Sequence, residues 1–234
     1  MRRAARFVLQ PGGDLFDSRV GGKPFLPQST PYPHNEAGDP LLFLAQVNFS
    51  QMPKLDGFPA SGLLSFFIGT DEMYGLDLEQ PDKQDGFRVL YFSKSQLEDA
   101  PRTDFGFLNH LGEIMSPLAE PFQPRKMHFH IVEEALSLTD YRFAQVTGID
   151  PFAEEAEEID LDCDGTGHKV GGYASFTQED PRTDLEGEPY ELLLQLDMDL
   201  DLMWGDSGVG NFFIRPSDLA KLDFTRVLYN WDCL

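Results

Sequence analysis

Gly171-Gly172-Tyr173-Ala174-Ser175-Phe176-Thr177-Gln178 opens, and Arg226-Val227-Leu228-Tyr229 closes, the stretch whose reading decides the fold. Most of its landmarks stand once before, in the same order, between Gly21 and Tyr91. Gly21-Gly22 and Gln28 answer Gly171-Gly172 and Gln178. Gly38-Asp39-Pro40 answers Gly187-Glu188-Pro189, and each leads through five residues to a glutamine, Gln46 or Gln195. Gly-x-x-x-Phe-Phe-Ile runs from Gly62 to Ile68 and again from Gly208 to Ile214. Leu76-Asp77-Leu78 matches Leu222-Asp223-Phe224, and Arg88-Val89-Leu90-Tyr91 matches Arg226-Val227-Leu228-Tyr229. An ordered series of this kind points to an internal duplication: pseudo-repeat 1 over about 12–99, a unique insert over about 100–167 and pseudo-repeat 2 over about 168–234.

The local patterns fill in the repeat. Residues 10–40 are crowded with Gly and Pro, which break helices and make an extended, turning segment. Leu41 to Phe49, Gly62 to Ile68 and Phe87 to Phe92 have the length and β-forming composition of strands. Ser93 to Glu98 reads as a short capped helix. Within the insert, Met127 to Val132 reads as a strand with His128 and His130 on one face, although Ile131 to Val146 also approaches helical spacing. The second copy repeats the strands at Leu192 to Met198, Asn211 to Ile214 and Thr225 to Tyr229. These patterns predict an α+β chain of mainly antiparallel β-sheets with few short helices. Edges left open by one copy are best covered by the other, so a single compact, pseudo-symmetric domain is expected.

Composition narrows the function classes. An apolar content of 41% with 12% aromatics supports a substantial core. Forty acidic against eighteen basic side chains give a formal charge of −22, which repels nucleic-acid phosphates and anionic lipid and attracts a basic protein partner. The longest apolar run, Leu41 to Ala45, is far too short to span a bilayer. The basic start Met1 to Arg6 is followed by no signal-peptide apolar core. Cys163 and Cys233 have neither zinc-site spacing nor the number to staple the chain, so a reduced, cytoplasmic setting is expected.

Residues kept in both copies serve the shared scaffold; polar or aromatic residues found in one copy are the candidates for ligand or partner binding. These are His168, Gln178, Asp180, Arg182, Trp204 and Asp206, which could converge at one end of a sheet. The same residues sit in turn-forming contexts, Asp180-Pro181-Arg182 and Gly205-Asp206-Ser207-Gly208, which is the competing structural reading. Asp160, Asp162 and Asp164, with Gly165 sixth in the series, reproduce the opening of a calcium loop, but position twelve is Gly171 instead of the bidentate glutamate. Gly205-Asp206-Ser207-Gly208 matches a trypsin-like nucleophile motif without the accompanying His and Asp contexts. His128 and His130 lack a third ligand. No catalytic residue is assigned and no cofactor is expected beyond that calcium option.

Long segments resemble a known family, the YwqG-like bacterial proteins of unknown function. The likeness is carried by Gly21 to Pro27, Leu44 to Phe49, Gly167 to Tyr173, Phe176 to Arg182, Met203 to Ile214 and Val227 to Cys233. Ala174-Ser175 stands where that family often has a proline and an aromatic residue. The resemblance implies a soluble bacterial protein and transfers no catalytic residue. The leading reading is therefore a non-enzymatic interaction module, immunity-type or regulatory, for a basic protein partner. A hydrolase or small-molecule binder with a pocket from the second-copy loops is the alternative, and a calcium-stabilised structural protein is the third.

Overall fold

The computed structural model describes residues 1–110, 114–151, 153, 156, 165–183 and 185–234. One ten-stranded sheet runs through the chain. Its strands are β1 (Arg2–Pro11), β2 (Arg19–Val20), β3 (Leu42–Asn48), β4 (Leu63–Ile68), β5 (Phe87–Phe92), β6 (Arg125–Glu134), β7 (Lys169–Gly171), β8 (Glu191–Leu196), β9 (Val209–Ile214) and β10 (Leu228–Asp232). Two short α-helices, α1 (Phe143–Thr147) and α2 (Pro216–Ala220), accompany them among the described residues. All neighbouring strands are antiparallel, in the order β10-β9-β8-β7-β1-β6-β2-β3-β4-β5. The order reads outward from a central β1–β6 pair in two matching series.

The sheet curls into a nearly closed barrel. Near the two edge strands, the Tyr229 amide donates to the Pro81 carbonyl at 2.9 Å, Phe87 packs on Tyr229 at 5.2 Å, and Tyr91 stacks on Phe224 at 5.5 Å. Closure of this kind removes the exposed ladder groups that make sheet edges aggregate. Inside, the core is shared: Phe66 of β4 meets Phe212 of β9 at 4.8 Å, and Phe212 stacks on Tyr229 at 4.7 Å. Outside, the chain between β2 and β3 folds over Phe43 and Phe67, burying Phe25, Leu26 and Tyr32. The chain between β7 and β8 covers Leu192 and Phe213 in the same way, with Ala174, Phe176 and Tyr190. Strands buried on both faces lose polar alternation, which is why β3 and β4 read as apolar runs interrupted only by Gln46, Asn48 and Ser65.

Matching positions repeat matching chemistry. Gly21 and Gly171 both have φ of 69°, and Gly22 and Gly172 both have 78°, the left-handed region that glycine enters without a Cβ clash. A Cβ at Gly172 would also overlap Glu134 and press on Ala4. Gln46 donates from Nε2 to the carbonyls of Leu15 and Asp17 at 2.8 and 2.9 Å and accepts from the Phe25 amide. Gln195 donates to Gly165 and Gly167 at 2.9 and 2.8 Å and accepts from the Ser175 amide. Both glutamines are fully buried and satisfy loop backbone that would otherwise be orphaned. A register shift follows Phe43 in β3 and Leu192 in β8.

Residues 100–167 contribute β6, which lies at the centre of the sheet, paired with β1 and β2. Several expectations differ from the structure. The helix considered over Ile131 to Val146 is a strand to Glu134, and only Phe143–Thr147 is helical. Ser93 to Glu98 holds a three-residue 3-10 turn with no side-chain cap from Ser95. The final strand lies three residues later than Thr225. The two Arg-Val-Leu-Tyr quartets are also out of step: Tyr91 faces Leu64, whereas Tyr229 faces Phe212, so Trp231, opposite Gly210, occupies the place matching Tyr91.

Because Phe66 and Phe212 touch across the barrel, Phe66→Ala and Phe212→Ala are each expected to cost about 3–5 kcal/mol in urea denaturation. The double variant should cost less than the sum by at least about 0.5 kcal/mol. Strict additivity would show that the two strand series do not share one core.

Candidate functional site

The six residues singled out in the sequence separate into two places. Gln178, Asp180 and Arg182 lie in the loop over the outer face of β8–β10, and His168, Trp204 and Asp206 flank the segment joining β8 to β9. The end of β10 links the two: Gln178 bonds to the Cys233 carbonyl, and a Cβ at Gly205 would overlap the Cys233 sulfur.

In the first place, Arg182 is buried with its guanidinium 4.6 Å above the Phe213 ring, as Tyr32 covers Phe67 at 5.7 Å on the other outer face. Its Nε and Nη2 donate to the two Asp180 oxygens at 2.9 and 2.6 Å, Nη2 also reaches Asp140 at 3.0 Å, and Nη1 donates to the Tyr190 carbonyl at 3.1 Å. The network continues through Arg142, which donates to both Asp140 oxygens and to Glu191, and through Arg2, which clamps Glu191 with two bonds. Burial works to raise the Asp140 pKa, but Arg142 and Arg182 outweigh it and hold the carboxyl below its usual range. A buried carboxylate so held is a poor proton carrier and a good anchor. Gln178 ties this loop to the end of β10: its amide donates to Asp232 at 3.1 Å and its Nε2 to the Cys233 carbonyl at 2.7 Å. Burial pushes the Asp232 carboxyl up, against the amides of Gln178 and Thr177.

In the second place, β8 ends at Leu196 and the chain continues Asp197-Met198-Asp199-Leu200-Asp201-Leu202-Met203-Trp204. Asp197 and Asp199 are half-buried, and Asp201 is exposed. The Asp197 amide donates to His168 Nδ1 at 3.0 Å, Asp197 Oδ2 accepts from the Gly167 amide, and Arg125 Nη1 lies 3.3 Å from both Asp199 and Asp201. Asp199 and Leu202 exchange backbone bonds of 2.8 and 3.2 Å that close the turn. Residues 117–119 fasten its far side, through Ala119 N to Asp201 O at 3.0 Å and Met203 N to Pro117 O at 2.7 Å. Trp204, fully buried, locks the C-terminal end against Gly210, where a Cβ would overlap the indole. Three apolar side chains between these anchors point outward, Met198 at 52% exposed, Leu200 at 92% and Met203 at 45%, while Leu202 is buried in the core. Asp206 is exposed just beyond.

His168 is the hinge of this arrangement. It is buried, stacked on Phe7 at 5.4 Å, and accepts at Nδ1, so its neutral tautomer carries the proton on Nε2, 3.5 Å from Asp199 Oδ2. Burial pushes its pKa below the ordinary value, against the pull of Asp197 and Asp199.

Two clefts open elsewhere. One of about 510 Å³ is lined by Arg2, Leu55, Phe58, Gly171, Leu192 and Leu219, and one of about 250 Å³ by Leu9, Gly21, Pro121, Phe122, Arg125 and Leu202. None of the six candidates lines either cleft. Asp160, Asp162 and Asp164 lie outside the described residues. Among the described residues no group of three or more His, Cys, Asp or Glu is placed to hold a metal ion, and His128 and His130 are exposed on β6. No helix among them is long and apolar enough to cross a membrane. Sequence reasoning passed over Met198 to Asp201, Arg125 and Asp140. The first carried a signal, since apolar residues alternating with carboxylates just past a strand must face opposite ways.

Fold and site together define a nearly closed antiparallel β-barrel whose β8–β9 turn displays apolar side chains above anchored carboxylates. The chain belongs to the family described as a domain of unknown function, DUF1963, which matches residues 18–233. No curated protein matches it.

A histidine whose folded-state pKa is lowered contributes stability that is present above its unfolded value of about 6.5 and is lost as the pH falls through the folded value. Urea denaturation between neutral and mildly acid pH should therefore show a larger loss for the wild type than for His168→Gln, which keeps an acceptor but cannot titrate. Parallel curves would contradict the neutral assignment. Arg182→Met leaves Asp180 and Asp140 buried without their shared cation and is expected to cost about 3–5 kcal/mol, whereas exposed Asp206→Asn should stay within about 0.5 kcal/mol.

Proposed function

We propose that this chain is a non-enzymatic binding module, immunity-type or regulatory in kind, that covers a basic protein partner. The observation supporting this reading is where its polar chemistry resides. His168, Asp180 and Arg182 are buried and occupied in holding loops, while the chain's net charge of −22, from forty acidic against eighteen basic residues, supplies a long-range attraction for cations. The proposed scaffold is a doubled five-stranded unit, β1–β5 and β6–β10, forming one domain. The mirrored strand order, the paired register shifts and the equivalent bonds of Gln46 and Gln195 support that descent. Likeness to the YwqG-like bacterial proteins and the scarcity of cysteine support a cytoplasmic setting.

A second reading, binding of a small molecule, is favoured by the cleft of about 510 Å³, a volume within the range of ligand sites. It moves that site away from the six residues first considered.

Affinity capture with the full chain should return a basic protein whose association rate falls steeply between low and moderate salt, as steering by opposite charge requires. Recovery of acidic partners alone, or a rate indifferent to salt, would remove the basic-partner reading.

A further inference from the structure

Five methionines are exposed among the described residues, and apart from Met1 they lie on three segments that are bonded to one another: Met73, Met115, and Met198 with Met203. Met115 N donates to Thr70 O, and Met203 N donates to Pro117 O, so residues 70–74, 115–119 and 198–204 form one neighbourhood. Tyr74 packs against Trp204 at 5.9 Å beneath it. Leu200, the most exposed large apolar side chain in the molecule's described part, stands at its tip. Around these side chains lie Asp71, Glu72, Asp201 and Asp206, all exposed, and the one cation in the β8–β9 turn's anchoring, Arg125, is shared between Asp199 and Asp201.

We propose that this methionine-bearing, acid-rimmed surface docks an amphipathic basic helix of the partner, apolar face against Met73, Met115, Met198, Leu200 and Met203 and Lys or Arg side chains against the surrounding carboxylates. The inference rests on the basic-partner reading above and adds its location and the partner's form. Unbranched, polarizable methionines adapt to varied apolar faces, so they suit a surface that accepts a helix without a deep, preformed pocket. The charge selects the occupant. A second copy of this chain would bring a second acidic rim against the first, and an anionic lipid surface would be repelled, whereas a basic helix is attracted at every approach. The rigid side of the site is the anchoring by His168, Arg125 and Trp204, which keeps the turn from collapsing its apolar residues inward.

The test uses the full chain and two synthetic helical peptides, one built of Leu and Lys and one of Leu and Glu with the same apolar face. The expected result is binding of the Leu/Lys peptide, loss of the Leu/Glu peptide, and at least about tenfold weaker Leu/Lys binding to the variant carrying Met198→Ser, Leu200→Ser and Met203→Ser, at unchanged melting temperature. Equal Leu/Lys binding to wild type and variant would overturn the docking surface while leaving a basic partner in place, since charge alone would then account for it. Equal binding of both peptides would overturn the charge selection, and with it the basic-partner reading. A dimer of the chain that dissociates in the serine variant would assign the surface to self-association and overturn the proposal, as would failure of the Leu/Lys peptide to bind.

Discussion

The ladder between β1 and β6 is the constraint on which the rest of the molecule depends. It pairs ten residues on each strand, from Arg2 opposite Glu134 to Pro11 opposite Arg125, and each strand takes its other neighbour from the far part of the chain. β1 continues to β7 and β6 to β2, so the first strand in sequence belongs spatially to the last series. Neither series can be completed by its own consecutive segment, and the chain must bring residues more than a hundred positions apart together before either edge is satisfied. The seam is fixed by a buried carboxylate. Glu134 accepts from Arg6 Nε at 2.7 Å, from Lys169 Nζ at 3.2 Å on both oxygens, and from the Tyr173 amide at 3.1 Å. With so many donors converging, the ion pair offsets its desolvation, and its geometry specifies which strands may meet.

From that seam the sheet turns both ways and produces two environments. The inner face is packed mainly by apolar side chains from both series, with Phe66 against Phe212. The outer faces are each covered by their own loop, and there the two series diverge in kind. Tyr32 and Arg182 perform the same packing task on Phe67 and Phe213, but the guanidinium brings a charge that must be neutralised, and Asp180, Asp140, Arg142, Glu191 and Arg2 follow in train. Much of what makes the second series look chemically distinctive is the consequence of that one cation under a loop.

This is also why the sequence was more informative about architecture than about chemistry. β3 and β4 were legible because double burial leaves a dense apolar signal, and β5 because its aromatic and β-branched residues do. β1 was not, because Arg2, Arg3 and Arg6 interrupt the apolar pattern and the small Ala4 and Ala5 reflect close strand approach, not exposure. β6 was legible as a strand but not as the partner of β1, since register across more than a hundred residues leaves no local trace. Asp180 and Arg182 satisfied every criterion for a site, polar, adjacent and present once, because an internally neutralised packing group has the same composition as a binding group. Burial is a tertiary property that composition does not carry.

The β8–β9 turn shows the converse. Its alternation of Asp197, Asp199 and Asp201 with Met198, Leu200 and Leu202 has the period of a strand, yet the ladder stops at Leu196, and one anchored turn redirects the series. Where the backbone amide of Asn48, at the end of β3, donates to the Ser18 hydroxyl, that of Asp197, just past β8, donates to the His168 imidazole. The hydroxyl accepts at any ordinary pH, whereas the imidazole accepts only while neutral. Replacing one acceptor by the other leaves the fold intact and makes the turn's attachment depend on burial keeping that ring unprotonated. Stacking on Phe7 and enclosure beneath Asp199 supply that burial, so the same packing that hides His168 is what holds Met198 and Leu200 out in water.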